Sequence, residues 1–247
     1  MTACWAILAV SSAIAQPTVP GLVVSERTWK GSRWVVAEVD LSKATVDLIG
    51  QRPGSPSPHT LGRTARKLVQ DDIVVGFATN AGIYMEDRRP LGLHIEAGQQ
   101  YRGLDRADGH GNFYLQPNGV FALGDSGAVV RRTDELTEVP ADWTLATQSG
   151  PLMVRAGVLH PRFDPESTSR KVRSAVGVRD ARHIVFAVSL DRVRFHDAAT
   201  FFRDELGCAD ALYLDGTVSS WWTPKRAHIE GDPAGYGGVL VVHSPSE

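Results

Sequence analysis

The sequence predicts a single-domain α+β protein built on mixed, largely antiparallel twisted sheets with a few packed helices. Three observations lead there. Short β-branched runs recur along the chain, separated by glycine, asparagine and aspartate turns, which is the pattern of antiparallel ribbons. Two stretches carry helical spacing behind a capping residue. The 247 residues, 43% hydrophobic and 22% charged, suffice for one large core, and no repeat or low-complexity segment divides them.

From the N-terminus, residues 2–24 hold no charged side chain, and the apolar run 4–10 leads to small residues at Ala13 and Ala15. This predicts a signal segment over 1–15, a lead-in over 16–29 and a domain over 30–243. No lysine or arginine precedes the run, so a buried N-terminal strand or helix also fits. Residues 34–40 and 44–50 read as the two strands of a hairpin. The proline- and glycine-rich stretch 51–58 is a surface loop. Thr60 then caps a helix whose Leu61, Ala65, Leu68 and Val69 form one stripe.

Residues 73–79 are a continuous apolar run of strand length, covered on both faces and ending at Asn80-Ala81-Gly82. Between 91 and 130 short ribbons follow, and 151–154 with 157–159 form a hairpin turning at Arg155-Ala156. Residues 175–178 pair with 184–188. Asp197 caps a helix facing the core with Ala198, Phe201, Phe202 and Leu206, and Gly207 stops it. Residues 211–214 are a buried strand that delivers Asp215 to its end, and 238–242 are the last strand.

Charge and cysteine content exclude several functions. The formal net charge is -2, and the 26 basic and 28 acidic residues are interspersed, so no concentrated basic field exists for a nucleic-acid partner. After the N-terminal run, no stretch reaches the roughly 18 apolar residues of a stable membrane span. Cys4 would leave with the signal segment, and Cys208, placed before an apolar run, reads as a buried thiol. No cofactor or metal is expected. Gly109-His110-Gly111 lacks the third glycine of a dinucleotide site, and His94, His110, His160 and His196 have no paired zinc spacing. Asp105, Asp108 and Asn112 do not follow the spacing of a calcium loop.

Four polar clusters stand where apolar runs start or stop: Asn80-Ala81-Gly82, Thr147-Gln148-Ser149-Gly150, Arg173-Ser174, and Asp215-Gly216-Thr217-Val218-Ser219. Strand ends are where a rigid sheet can aim side chains into a shared cleft. Taken singly, Asn80 and Asp215 fit plain Asx turns as well, and Arg173 fits a salt bridge to Asp180. Trp221 and Trp222 fit a sugar-stacking wall or the edge of the core.

The order of these clusters, together with Gly111-Asn112-Phe113-Tyr114 and Pro117-Asn118-Gly119-Val120-Phe121, resembles the phosphodiester glycosidase family over residues 30 to 243. Two departures stand out: Asp215-Gly216-Thr217-Val218-Ser219 lacks the family's run of three glycines after the acid, and Ser174 stands where asparagine is frequent. The N-terminal run predicts export, periplasmic or secreted, and the resemblance implies a hydrolase acting on a sugar phosphodiester or related envelope glycan. Arg173 would supply the cation for phosphate, Asp215 the carboxylate for an oxocarbenium ion or for water, and Glu96 a second carboxylate. Asn80, Gly82, Gln148, Ser149, Gly150, Gly216 and Ser219 would hold the substrate. A glycan-binding or scaffold protein without turnover, or a different glycan hydrolase, are the alternatives on the same fold.

Overall fold

The computed structural model describes residues 18–52, 60–216, 218–225 and 235–245. The segment read as a signal and most of the loop 51–58 lie outside these described residues. The fold class is as expected, with antiparallel sheets and two short helices making one α+β domain.

Three sheets share the core. The largest has seven strands in the order β1 (Leu22–Trp29), β2 (Ser32–Asp40), β13 (His183–Ser189), β12 (Ser174–Val178), β14 (Asp210–Asp215), β10 (Leu152–Arg155) and β11 (Val158–Leu159). A four-stranded sheet runs β15 (Trp221–Trp222), β4 (Val75–Asn80), β16 (Val239–His243), β3 (Thr45–Ile49). The third runs β6 (Gln99–Arg102), β5 (His94–Glu96), β9 (Leu145–Ser149), β7 (Gly119–Gly124), β8 (Gly127–Arg132). Val35, Phe186 and Leu212 from the first sheet meet Phe77 and Leu240 from the second and Phe121 from the third in one buried cluster. Such interdigitation is the main favourable term in folding.

Helices cover the outer faces. Thr60 accepts from Arg63 N–H at 3.3 Å and starts α1 (Leu61–Gln70), whose Leu61 and Ala65 pack on β4 and β16. The stripe stops at Leu68, because Val69 is 53% exposed. β4 is therefore covered on both faces, as its unbroken apolar run requires. α2 (Phe195–Thr200) widens into a π-turn over Phe201–Glu205 and buries Ala198, Phe201 and Phe202 against the seven-stranded sheet. It begins two residues before Asp197, whose carboxylate reaches back to the Arg194 N–H at 3.2 Å. Gly207, at φ +67, ends the segment where a side chain would be strained.

The hairpins of β10 with β11 and of β12 with β13 form as expected, except that the first turns at Ala156-Gly157, one residue later than expected, because Arg155 still pairs with Val158. The expected hairpin of 34–40 with 44–50 does not form. Both segments are strands, but β1 and β13 occupy the two edges of β2, while β3 pairs with β16. The tight turn between them, in which Ser42 and Ala44 N–H donate to Asp40, carries the chain from one sheet to the other. Val35, Ala37 and Val39 of β2 then face Val46 and Leu48 of β3 across the shared core. Alternation of apolar residues cannot distinguish this face-to-face packing from edge pairing. β1 itself lies within the stretch read as a lead-in and pairs with β2 along its whole length.

Candidate active site

Asp215 stands at the end of β14, opposite Ser174 of β12. Its backbone is held from three directions. Ser174 Oγ accepts from the Asp215 N–H at 3.2 Å and donates to its carbonyl at 3.3 Å. Ser219 Oγ donates to the same carbonyl at 2.7 Å, closing the loop that follows. One residue earlier, Ser149 Oγ donates to the Leu214 carbonyl at 2.9 Å, tying β9 to β14. Asn80 secures the bracket by donating to Ser174 Oγ at 2.9 Å and accepting from Ser220 N–H at 3.3 Å. All four polar clusters thus contribute to one strand end, with Asn80, Ser149, Ser174 and Ser219 buried and spent on protein partners. Their common effect is to fix where the Asp215 carboxylate stands.

The side chains beside this bracket carry different chemistry. Tyr213 stands two residues before Asp215, across a register shift in the pairing of β12 with β14, and its phenol feels the Asp215 charge. Arg173, immediately before β12, lies beside Tyr213. Its guanidinium lies 3.5 Å from the centroid of Phe195 and 5.6 Å from that of Tyr213. Nε donates to the Val193 carbonyl at 3.0 Å, the Arg173 backbone N–H donates to Ser189 Oγ at 2.9 Å, and the side chain is among the largest fully buried ones. Asp180, the salt-bridge partner weighed for it, pairs with His183 at 2.9 Å instead. Among the described residues no carboxylate forms an ion pair with Arg173. Burial pushes its pKa below the ordinary arginine value, opposed by the Tyr213 phenol, yet guanidinium stays charged at neutral pH.

Tyr213 was not singled out by sequence. It reads there as one more apolar residue of a buried strand, and only its position two before Asp215 hints at more. Burial raises its phenol pKa, and the neighbouring Asp215 charge raises it further against the pull of Arg173. The phenol is therefore a neutral O–H donor. Asn112 Nδ2 approaches it at 3.5 Å, the limit of a hydrogen bond. Gly216 packs directly beneath it: a Cβ built there would stand 2.2 Å from the phenolic oxygen.

Other expected site residues are occupied elsewhere. Gln148 Oε1 accepts from Leu93 N–H at 3.0 Å and Asp105 N–H at 2.8 Å, while its Nε2 donates to the Asp105 carbonyl at 2.6 Å and Thr133 Oγ1 at 3.2 Å. All its bonding capacity goes into joining three segments, at Leu93, Asp105 and Thr133. Gly82 and Gly150 let backbones cross, since a Cβ would meet Gln148 O at 2.5 Å and Phe113 O at 2.5 Å respectively. Glu96, on β5, accepts from the backbone N–H groups of Gly50, Gln51 and Arg52 at 2.8 to 3.1 Å and lies 3.6 Å from His94 Nε2. Burial raises its pKa, but His94 and the Gln51 and Arg52 N–H groups together bring it below the ordinary glutamate value. Trp221 pairs with Thr79 of β4 and is buried in the core, so it is no exposed stacking wall.

Residues 74–236 match the model of the phosphodiester glycosidase family. The chain is 40% identical over 146 residues to the protein YigE of Escherichia coli (strain K12), a match spanning 59% of this chain and 57% of that protein. Among solved structures it is similar to the catalytic domain of zebrafish N-acetylglucosamine-1-phosphodiester alpha-N-acetylglucosaminidase, auto-inhibited by its pro-peptide. That match has a TM-score of 0.63 and 16% identity over 91% of this chain and 82% of the other. A Synechocystis protein follows with a TM-score of 0.56 and 14% identity, covering 91% of this chain and 62% of the other. At these identities the structural likenesses establish the fold alone. The family match, which covers most of the chain and contains Asn80, Arg173 and Asp215, carries the conclusion that this protein belongs to the phosphodiester glycosidase family.

Proposed function

We propose that the protein is an exported hydrolase that cleaves a glycosyl phosphodiester, with Asp215 as the catalytic carboxylate and Arg173 as the cation facing phosphate. The observation that carries the proposal is the burial of Arg173 beside Tyr213, whose phenol also feels the Asp215 charge, with no carboxylate in ion-pair contact among the described residues and Asp197 acting on the guanidinium only from farther away. A cation removed from water is costly unless something compensates it, and an anionic substrate would do so. Water adds to the anomeric carbon, the bond from that carbon to the phosphate oxygen breaks, and a phosphate monoester leaves. Such a leaving group needs little protonation, so the site needs charge stabilisation more than a strong general acid. Asp215 stabilises the developing oxocarbenium ion or activates the water; Arg173 and the Tyr213 O–H stabilise charge on the phosphate.

In this proposal Asn80, Ser149, Ser174 and Ser219 position Asp215 rather than touch sugar, and Glu96 anchors the Gly50–Arg52 backbone rather than acting as second carboxylate. Export rests on the uncharged apolar run and on Ala13 and Ala15. Among the described residues no helix is long and apolar enough to cross a membrane. A non-catalytic glycan-binding role is favoured by one observation, the 2% exposure of Arg173, which narrows the route by which a phosphate reaches it. The two readings part on Arg173→Ala. For a hydrolase, efficiency on a sugar phosphodiester falls by about one to two decades while a neutral aryl glycoside is affected much less. Equal losses on both substrates point to a structural role, and binding without release by wild type supports the non-catalytic reading.

A further inference from the structure

A second cationic site lies on the outer side of the seven-stranded sheet. A cavity of about 250 Å³ is walled by Trp29, Lys30, Trp34, Arg170, Arg194 and Asp197. Val193 also borders it, and the Val193 carbonyl is the group that accepts from Arg173 Nε, so the cavity adjoins the candidate active site although Arg173 does not line it.

Two features single it out. The first is charge. Lys30, Arg170 and Arg194 outnumber the single carboxylate of Asp197, which is shared at 3.9 Å with Arg170 and 3.7 Å with Arg194. These are long ion pairs that leave most guanidinium N–H groups uncommitted. Arg194 spends Nε on the Ser167 carbonyl at 2.7 Å, and Lys30 lies over the Trp29 ring at 4.1 Å. Asp204 is within electrostatic reach of Lys30, but its carboxylate binds Arg203 at 2.6 Å.

The second feature is an orphan donor. Trp34 is 1% exposed, stacked on Phe201 at 4.4 Å, and its indole Nε1 has no hydrogen-bond partner. A buried indole N–H normally finds an acceptor, and leaving it unmet costs free energy. The nitrogen itself is closed to solvent just behind the cavity wall, whose polar side chains are mainly cationic, with Asp197 the one carboxylate among them and already shared between two arginines.

We propose that this cavity binds a tetrahedral oxyanion of the phosphate class, with Lys30, Arg170 and Arg194 supplying charge-assisted hydrogen bonds and the Trp34 ring packed behind the wall. Arg170 and Arg194 flank the bridge between Lys171 and Val193, so the anion fastens together the segment leading into Arg173 and the segment leading into α2. The proposal does not depend on the hydrolytic reading, because none of the three donors belongs to the candidate catalytic group.

The Trp34 indole N–H, just behind the wall, is the cavity's reporter. In a ¹H–¹⁵N spectrum of the whole protein, the Trp34 indole resonance, assigned by its loss in Trp34→Phe, is followed while inorganic phosphate and, separately, a sugar monophosphate are added. A saturable shift with either anion is expected, and the tighter of the two identifies the free ion or a phosphorylated glycan as the source. The exposed double variant Lys30→Gln/Arg170→Gln should weaken binding at least about tenfold while keeping the fold. No indole shift at phosphate concentrations in the tens of millimolar would overturn the proposal. An equal shift produced by chloride at matched ionic strength, or an unchanged affinity in the double variant, would overturn it too.

Discussion

The contact between Gly216 and Tyr213 sets up a sharp test of how the site is built. In Gly216→Ala the new methyl group would sit 2.2 Å from the Tyr213 phenolic oxygen and 3.3 Å from the Val172 carbonyl. Relief to ordinary contact requires a displacement of about 1 Å. Tyr213 has little room to give it: it is 1% exposed, and its ring meets Phe195 edge-on at 4.8 Å. Overpacking of this kind costs about 1–3 kcal/mol, which for a domain of this size lowers Tm by roughly 2–10 °C. A misplacement of about 1 Å beside a catalytic carboxylate costs about a hundredfold in rate. The control is Tyr213→Phe, which deletes the oxygen the methyl group strikes. The double variant Gly216→Ala/Tyr213→Phe should therefore be more stable than the sum of the single changes requires, with a coupling of about 1–2 kcal/mol in a double-mutant cycle. Thermal unfolding measures the stability and sugar release from a phosphodiester the rate. If Gly216→Ala melts with wild type, or if removal of the hydroxyl relieves nothing, the packing of the phenol on the Asp215 loop is wrong.

Two further outcomes follow from the buried ionisable groups. Glu96→Gln should destabilise the fold by about 1–3 kcal/mol in urea, because the carboxylate binds three backbone N–H groups, while turnover per folded molecule changes little. A variant of wild-type stability that has lost turnover would restore Glu96 as the second carboxylate. His243 donates Nδ1–H to the Ser244 carbonyl at 2.7 Å and places Nε2 3.2 Å from Asp47 Oδ2, so the imidazolium satisfies both partners. Burial opposes the charge, but these two partners outweigh it and raise the folded pKa above 6.5. The associated stability is fully present below the unfolded value and is lost as pH rises through the folded one. Urea unfolding at about pH 6 and about pH 9 should show wild type losing stability that Asp47→Asn does not have to lose. Equal pH dependence of the two proteins would remove the pair from the account.

What the chain disclosed in advance depended on whether the signal was local. The Thr60 cap, the hairpin turn after β10, read one residue too early, and the Gly207 stop are backbone chemistry within a few residues, and each led to the right element. The partners of β2 and β3 are decided by segments far away, β13 and β16, which no local periodicity contains. The site divides in the same way. Asp215 was visible because a buried apolar run ends on it, and Asn80 because another such run does. Their relation was not visible, because a buried asparagine and three serines look the same whether they bind a ligand or brace a neighbouring strand. Gln148 looked like a ligand residue for the same reason, yet its four hydrogen bonds all go to protein. Tyr213 was hidden by its surroundings: only the pairing of β12 with β14 brings Arg173 beside it and turns an apolar-looking residue into a polar one.

The most direct measurement of the central claim is sugar release from a synthetic glycosyl phosphodiester by purified wild type and by Asp215→Asn. The substitution keeps the shape of the side chain and the backbone bracket around it but removes the negative charge. The account predicts release by wild type and a loss of at least about a hundredfold in the variant at unchanged thermal stability. A folded Asp215→Asn protein that releases sugar at the wild-type rate would contradict it.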